Sequence, residues 1–304
     1  MRTKSRAIAL FGPTAVGKTA LTEAFFSKGY EIINADSIQV YKGFDIGSAK
    51  PSEELMNKIR HHLVSIMDPH QQYTVGDFCR LSENLIKEIN ERGNIPLITG
   101  GTAYYFKELI YGPSETPKAD MEVRRRVQNL LEEKGKDYLY KELQRVDEKA
   151  LEKITPNDVY RITRALEVYY QTGRPLSSFS SSDKIRDDID FLIICLVRPK
   201  EELEARIAKR VDIMFEEGFY SEMKRLFNEG ADSSWPAMQA IGYKEFLDYK
   251  ESGEMSFSML KKEIIRNSVK YAKRQMTFFK SFDNVHFINP DDHLAVKSVI
   301  DSFL

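Results

Sequence analysis

The sequence predicts an α/β protein: a parallel sheet with flanking helices, interrupted by an inserted, mainly helical domain. Three observations carry that reading. Short apolar runs suited to buried strands recur along the chain, with segments of helical spacing between them, such as Phe78, Leu81, Leu85 and Ile89. The first run, Ala7–Phe11, leads directly into Gly12-Pro-Thr-Ala-Val-Gly-Lys-Thr19, after which Ala20, Leu21, Ala24 and Phe25 recur at helical spacing. Finally, two of the later runs are separated by far more chain than one crossover helix requires.

The glycine stretch reads G-x-x-x-x-G-K-T between a strand and a helix. This is the context in which backbone N–H groups close on a phosphate chain, so the sheet is P-loop NTPase-like. Gly12, Thr14, Ala15, Val16, Gly17, Lys18 and Thr19 are its candidate phosphate-binding residues. Lys18 adds a positive charge, and the Thr19 hydroxyl can ligate Mg²⁺.

Four further apolar runs pair with the first: Glu31–Ala35, Ile95–Thr99, Phe191–Val197 and Val285–Ile288. Ligands of such sheets bind beyond the carboxyl ends of the strands. Asp36-Ser37-Ile38-Gln39 follows the second run and Gly100-Gly101-Thr102 the third, so both converge with the glycine loop on one edge. Asp36, expected one strand over from the phosphate loop, has three roles open to it. It can hold Mg²⁺ through water, cap the next turn, or act as a general base. Gln39–Pro51 reads as a glycine-punctuated surface loop, of the kind that binds something. His61-His62 has no nearby Cys or His cluster and reads as structural.

Residues 113–189 read as the inserted helical domain, leaving 1–112 and 190–304 as the core with basic C-terminal helices. The insert opens with Pro113 and Pro117 and closes with the serine-rich Ser177–Ser182 and the acidic Asp187–Asp190. Arg124, Arg161 and Arg164 mark its candidate contact face, although arginines on a helix are commonly just solvated. After the fourth strand come Arg198, Arg206 and Arg210. The last two, four apart, share a helix face and can clamp a leaving group or pair with an acid such as Glu202. Lys261–Lys280 carries seven Lys or Arg against one Glu, interleaved with Tyr271, Phe278 and Phe279. That composition suits single-stranded RNA, or else a basic helix docked on the core.

Composition excludes other classes. With 42% apolar and 30% charged residues the chain is an ordinary globular protein, and a net charge of −1 means that any basic surface is local. The apolar run before Gly12 is too short for a secretory signal, and Phe191–Val197 is too short to span a bilayer. Cys79 and Cys195 read as two buried reduced thiols. A cytoplasmic protein without membrane contact is expected.

The motifs taken together are similar to those of the tRNA dimethylallyltransferases. The matching residues run from Gly12–Thr19 through Asp36-Ser-Ile-Gln-Val-Tyr41, Asp45-Ile-Gly-Ser-Ala-Lys-Pro51, His61-His-Leu63, Asp68-Pro69 and Gly100-Gly-Thr102. They continue through Asn157-Asp158, Arg161, Arg164–Val168, Thr172–Ser177, Met238–Glu245 and Tyr271-Ala-Lys-Arg-Gln275, covering nearly the whole chain. Two departures stand near the end. Phe278-Phe279 replaces a tryptophan-containing pair, and Ser268-Val269-Lys270 replaces a Thr-Arg pair.

The resemblance implies prenyl transfer from dimethylallyl diphosphate to the exocyclic N6 amine of the adenosine 3′ of the tRNA anticodon, by a monomer using Mg²⁺. It implies Asp36 as general base, with Lys18 and Arg210 on the diphosphate and Thr19 on the metal. Contacts to the anticodon stem-loop are implied for Asp36, Ser37, Ile38, Gln39, Thr102, Arg124, Tyr160, Arg161, Ile162, Thr163, Arg164, Gln239, Ala240, Ile241, Gly242, Tyr243 and Lys244. A P-loop kinase acting on a small molecule or nucleotide fits the glycine loop and the Arg206–Arg210 helix equally well. It gives no use to the basic, aromatic C-terminal stretch. A nucleotide-regulated RNA-binding protein without chemistry leaves Asp36 and Arg210 idle.

Overall fold

The computed structural model describes residues 4–179, 184–252 and 256–304. Part of the serine-rich stretch, Ser180–Ser182, lies outside the described residues. The chain divides into two compact units, Met1–Ile110 with Arg186–Leu304, and Tyr111–Ile185.

In the larger unit, β1 (Ser5–Phe11), β2 (Tyr30–Asn34), β3 (His61–His62), β4 (Ile95–Gly100), β5 (Ile189–Leu196) and β6 (Val285–Ile288) form one sheet. Their order is β3-β2-β4-β1-β5-β6, and every pairing is parallel. The central strands are continuous apolar runs, as a sheet covered on both faces requires. Ile8, for example, stands between Leu97 and Leu192.

Three features differ from expectation. The short β3 is a sixth strand that no apolar run announces. Residue 189 belongs to β5, where it pairs with Ser5. And β4 stands between β1 and β2, so Asp36 follows a strand two places from the phosphate-loop strand, not one.

The helices in chain order are α1 (Lys18–Phe25), α2 (Glu53–Lys58), α3 (Val75–Glu91), α4 (Ala103–Tyr111), α5 (Met121–Val146) and α6 (Val159–Thr172). They continue as α7 (Lys200–Glu216), α8 (Phe219–Asn228), α9 (Tyr243–Ser252), α10 (Phe257–Phe279) and α11 (His293–Phe303). Local chemistry sets their starts. Thr74 and Asp77 exchange hydrogen bonds as a capping box before α3, Ser256 accepts from Met259 N before α10, and Asp292 caps α11. No helix among the described residues is long and apolar enough to cross a membrane.

One core cluster joins Ile8, Leu10, Ile32, Leu97 and Ile194 of the sheet to Leu21, Ile207, Ala272 and Val296 of the helices. Phe11 adds a stacked contact with Phe279, ring centroids 4.4 Å apart. Phe279 is fully buried, which corrects its expected place on an RNA-facing surface. It continues the inward stripe of α10, which runs Leu260, Ile264, Ala272, Gln275, Phe279 at helical spacing.

The smaller unit packs α5, interrupted at Gly135, against α6 around Val127, Leu139, Leu143, Ile154 and Leu166. Ile162 is in that core with 1% exposure. Its side chain therefore does not meet RNA, because the helical repeat that exposes Tyr160 and Arg161 turns Ile162 inward.

Candidate active site

The site is built at the carboxyl ends of β1, β2 and β4. Gly17 caps α1 in a left-handed conformation, φ +117°, and no side chain caps the helix. The first-turn N–H groups of α1 are thus left for an anion.

The loop is held from outside by three arginines. Arg198 Nε donates to Val16 O at 2.8 Å, Arg206 Nε to Ala15 O at 2.8 Å, and Arg210 Nη1 to Thr14 Oγ1 at 2.9 Å. Glu202, the acid weighed as a partner for Arg206, pairs with Arg198 instead, and Asp291 holds the same guanidinium at 2.6 and 2.7 Å. Arg206 and Arg210 do share a face of α7, and that face is turned to the loop.

Lys18 Nζ donates to Gly12 O and Pro13 O, both at 2.9 Å. The residue is partly exposed, yet its ammonium is enclosed by the loop, and burial lowers its pKa to about 8. The Arg210 guanidinium lowers it further and the Asp36 carboxylate opposes the shift. Burial also lowers the Arg210 pKa, again opposed by Asp36. Two desolvated cations facing one carboxylate make a strong site for a polyanion.

This has a consequence for pH. A polyanion at this end is favoured by a protonated Lys18, so its affinity is expected to be flat below pH 8 and to fall as the ammonium deprotonates above it. A non-reactive dimethylallyl diphosphate analogue, followed by calorimetry from pH 7 to 9.5, is expected to lose up to about tenfold in affinity per unit above pH 8. Lys18→Arg is expected to flatten that profile. A flat profile in the parent protein would contradict it.

Asp36 ends the loop side of β2. Its Oδ1 accepts from Ile38 N at 2.9 Å and Gln39 N at 3.2 Å, and its Oδ2 has no partner among the described residues. The turn is therefore capped by one oxygen alone. Ser37 N donates to Thr102 Oγ1 at 3.0 Å, and Gln39 Nε2 donates to Ser48 O and Ala49 O at 3.1 Å.

A cavity of about 890 Å³ joins these groups. Thr14, Ala15, Gly17, Lys18, Thr19 and Arg210 line its cationic end, with Asp36, Ser37, Ile38, Gln39 and Thr102 alongside. Gln239, Ala240, Ile241 and Tyr243 also border it, whereas Gly12, Val16, Gly242 and Lys244 do not. Leu55, Ile207, Val211, Met214 and Ile264 form an apolar wall. Cationic end, carboxylate and apolar wall together suit a phosphorylated hydrocarbon.

The Gln39–Pro51 segment is not the surface loop expected. Tyr41 and Phe44 are buried, and a Cβ on Gly47 would lie 2.3 Å from Phe219 Cε2. Its anchor is Glu222 of α8, which accepts from Asp45 N, Ile46 N and Gly47 N at 3.0, 2.7 and 3.2 Å, and from Tyr243 OH at 2.7 Å. Arg210 Nη2 reaches Ser48 O of the same segment at 3.4 Å. Tyr243, expected to touch RNA, is fully buried and spends its hydroxyl on Glu222. Sequence reasoning missed Glu222, although a carboxylate on the stripe Phe219, Met223, Leu226 was a visible signal.

His62 Nε2 contacts buried Glu31 at 2.8 Å. Hydrogen bonds from Arg92 (the largest cause), Asn94 and His62 hold that carboxyl at about 2. Nothing about this pair resembles a metal site, and no group of three or more metal-binding side chains occurs among the described residues.

In the smaller unit, Tyr160 is exposed, Arg161 pairs with Asp158 at 3.4 Å, and Thr163 Oγ1 donates to Tyr160 O. Arg124 and Arg164 both approach Glu167, at 3.8 and 3.3 Å, and Arg164 also donates to Pro117 O.

The chain is similar to known proteins in sequence and fold. A family model described as IPP transferase matches residues 39–282. The tRNA dimethylallyltransferase of Borrelia turicatae is 45% identical over 291 residues, covering 96% of each chain. That of Alkaliphilus oremlandii is 36% identical over 304 residues, covering 99% of this chain and 96% of the relative. Among solved structures, the full-length tRNA isopentenylpyrophosphate transferase of Bacillus halodurans superposes with a TM-score of 0.68 at 35% identity, over 99% of this chain and 95% of that one. A eukaryotic dimethylallyltransferase acting on tRNA gives 0.76 at 27% identity, over 98% and 78%.

Proposed function

Since the chain belongs to the IPP transferase family and transfers a dimethylallyl group to a tRNA adenosine, we propose the specific reaction and the residues that perform it. The donor is dimethylallyl diphosphate, and the acceptor is the N6 amine of the adenosine 3′ of the anticodon. The amine lone pair attacks the allylic carbon, the carbon–oxygen bond breaks, and diphosphate leaves. Asp36 Oδ2 takes the amine proton. Lys18, Arg210 and the first-turn N–H groups of α1 receive the charge growing on the leaving group.

Adenine's amine is a poor nucleophile because its lone pair is delocalised into the ring. Positioning therefore carries much of the catalysis, on the order of several kcal/mol. The base must leave its stack to reach the cavity, which gives the RNA-binding surface its purpose. The observation that carries this reading is the cavity itself, with Asp36 facing Lys18 and Arg210 beside an apolar wall.

The donor set fits Mg²⁺. Thr19 brings a hard hydroxyl oxygen to the cationic end of the cavity, and this ion is commonly held by one or two protein groups plus substrate phosphates. Thr19 would bind it directly, and when bound it supplies further charge neutralisation on the diphosphate. Cys79 and Cys195 are free, which fits the proposed cytoplasmic setting, and burial pushes both thiols up to about 12, so neither is a reactive thiolate.

Labelled dimethylallyl diphosphate and unmodified tRNA, followed by nucleoside analysis, test the reading. The expected product is N6-(dimethylallyl)adenosine without any need for ATP. Phosphoryl transfer from ATP in place of prenyl transfer would favour the kinase.

For the RNA surface, α10 presents Lys270, Lys273 and Arg274 exposed and without an acidic partner among the described residues. Together with Arg124 and Tyr160–Arg164 they are the proposed contacts, excepting the side chain of Ile162. Neutralising the three α10 cations is expected to weaken tRNA binding. The slope of its log–log salt dependence should fall by up to about one unit per lost phosphate contact. An unchanged slope would remove α10 from the RNA surface.

A further inference from the structure

Gln275 is 3% exposed on the inward stripe of α10, and its amide is engaged at both ends. Oε1 accepts from Thr14 N at 3.0 Å, and Nε2 donates to Gly101 O at 2.7 Å. Tyr271 OH approaches the same carbonyl at 3.4 Å. A backbone N–H can only donate and a carbonyl can only accept, so these partners fix which way the amide points.

The two contacts lead to opposite sides of the reaction. Thr14 belongs to the phosphate loop, and its hydroxyl accepts from Arg210. Gly101 precedes Thr102, whose N donates to Ala35 O at 3.1 Å and whose Oγ1 accepts from Ser37 N at 3.0 Å, so the residues on either side of Asp36 are both held. One uncharged side chain thus spans from the loop under the leaving group to the loop that holds the segment carrying the base. The sheet order makes this relay direct, because β4 lies between β1 and β2 and its loop touches the Asp36 segment on one side and Gln275 on the other.

We propose that Gln275 is a positioning residue that sets the spacing between Asp36 and the phosphate loop. The role rests on the prenyl-transfer reading above. Attack at the allylic carbon requires the amine, held by its base, to line up with a departing diphosphate, and small displacements of either partner are costly. Few side chains satisfy both contacts. Glutamate keeps the acceptor for Thr14 N but has no donor for Gly101 O, asparagine is one methylene shorter, and methionine fills the space with neither.

The test compares Gln275→Met and Gln275→Glu with the parent, using labelled dimethylallyl diphosphate, unmodified tRNA, and direct calorimetry with inorganic diphosphate. Both variants are expected to lose about 30- to 100-fold in kcat, while in the uncharged Gln275→Met the affinities for inorganic diphosphate and tRNA stay within about threefold. Where neither variant folds, Gly101→Ala serves in their place, because its Cβ would lie 2.9 Å from Gln275 Nε2 and push on the same contact. The same kcat-only loss is expected there.

A kcat within threefold of the parent overturns the role. So does a loss of diphosphate affinity by Gln275→Met as large as its loss of kcat, since Gln275 would then only shape the binding site. A parent protein that transfers no prenyl group fails the functional reading itself, independently of what Gln275 does.

Discussion

Asp36→Asn is expected to lower turnover by about a hundred-fold or more while tRNA and dimethylallyl diphosphate both still bind. The local geometry makes the substitution discriminating. Oδ1 caps the turn through Ile38 N and Gln39 N, and the asparagine oxygen can keep both bonds. Oδ2, which has no partner among the described residues, becomes an amide nitrogen that cannot accept a proton. Folding and loop shape are thus retained while the base is removed.

The competing roles predict other outcomes. A metal anchor would be rescued by excess Mg²⁺. A pure cap would leave both stability and turnover nearly intact, because asparagine caps about as well as aspartate. Single-turnover rates across a Mg²⁺ titration separate the three, and rescue by metal would sink the base assignment. The measurement belongs near pH 7. Asp36 supports the protonated state of Lys18, so its loss lowers that pKa further and weakens diphosphate binding at higher pH.

The parts of the site most legible in the sequence were those whose chemistry is local. Gly12–Thr19 announces its own conformation, since the glycines, the lysine and the hydroxyl act within one turn. Asp36 and Thr102 were legible as polar ends of apolar runs. Arg206 and Arg210 were legible as a shared helix face, although their targets, Ala15 O and Thr14 Oγ1, were not.

What stayed hidden depends on packing between distant segments. The two-residue β3 carries polar histidines because one of them serves buried Glu31, so no apolar run marks it. Strand order does not follow from strand spacing, and Asp36 therefore seemed nearer the phosphate-loop strand than it is. Phe279 and Tyr243 have the composition of nucleic-acid contacts, but the helical phase of α10 and the carboxylate of Glu222 turn them inward. Glu222 shows the limit most clearly. A glutamate on α8 organises the Asp45–Gly47 backbone some 175 residues earlier in the chain, a pairing that only the fold reveals.

Lys18→Ala is expected to cost about a hundred- to a thousand-fold in kcat/KM for dimethylallyl diphosphate, the magnitude associated with removing one preorganised donor from a developing anion. Lys18 has three N–H groups, and two are fixed on Gly12 O and Pro13 O. That arrangement points the ammonium while the loop encloses it, so its charge acts in a poorly solvated setting and no water can replace it at equal strength. Thr19→Ala is expected to act differently, through a raised Mg²⁺ requirement. In neither variant should tRNA affinity move by more than a few-fold, because the proposed RNA contacts on α10 and on the smaller unit carry their own cations. Filter binding of tRNA beside calorimetry of the prenyl diphosphate decides the matter. A large loss of tRNA binding by Lys18→Ala with prenyl diphosphate binding intact would mean that the phosphate loop grips the RNA backbone, and the leaving-group assignment would fall.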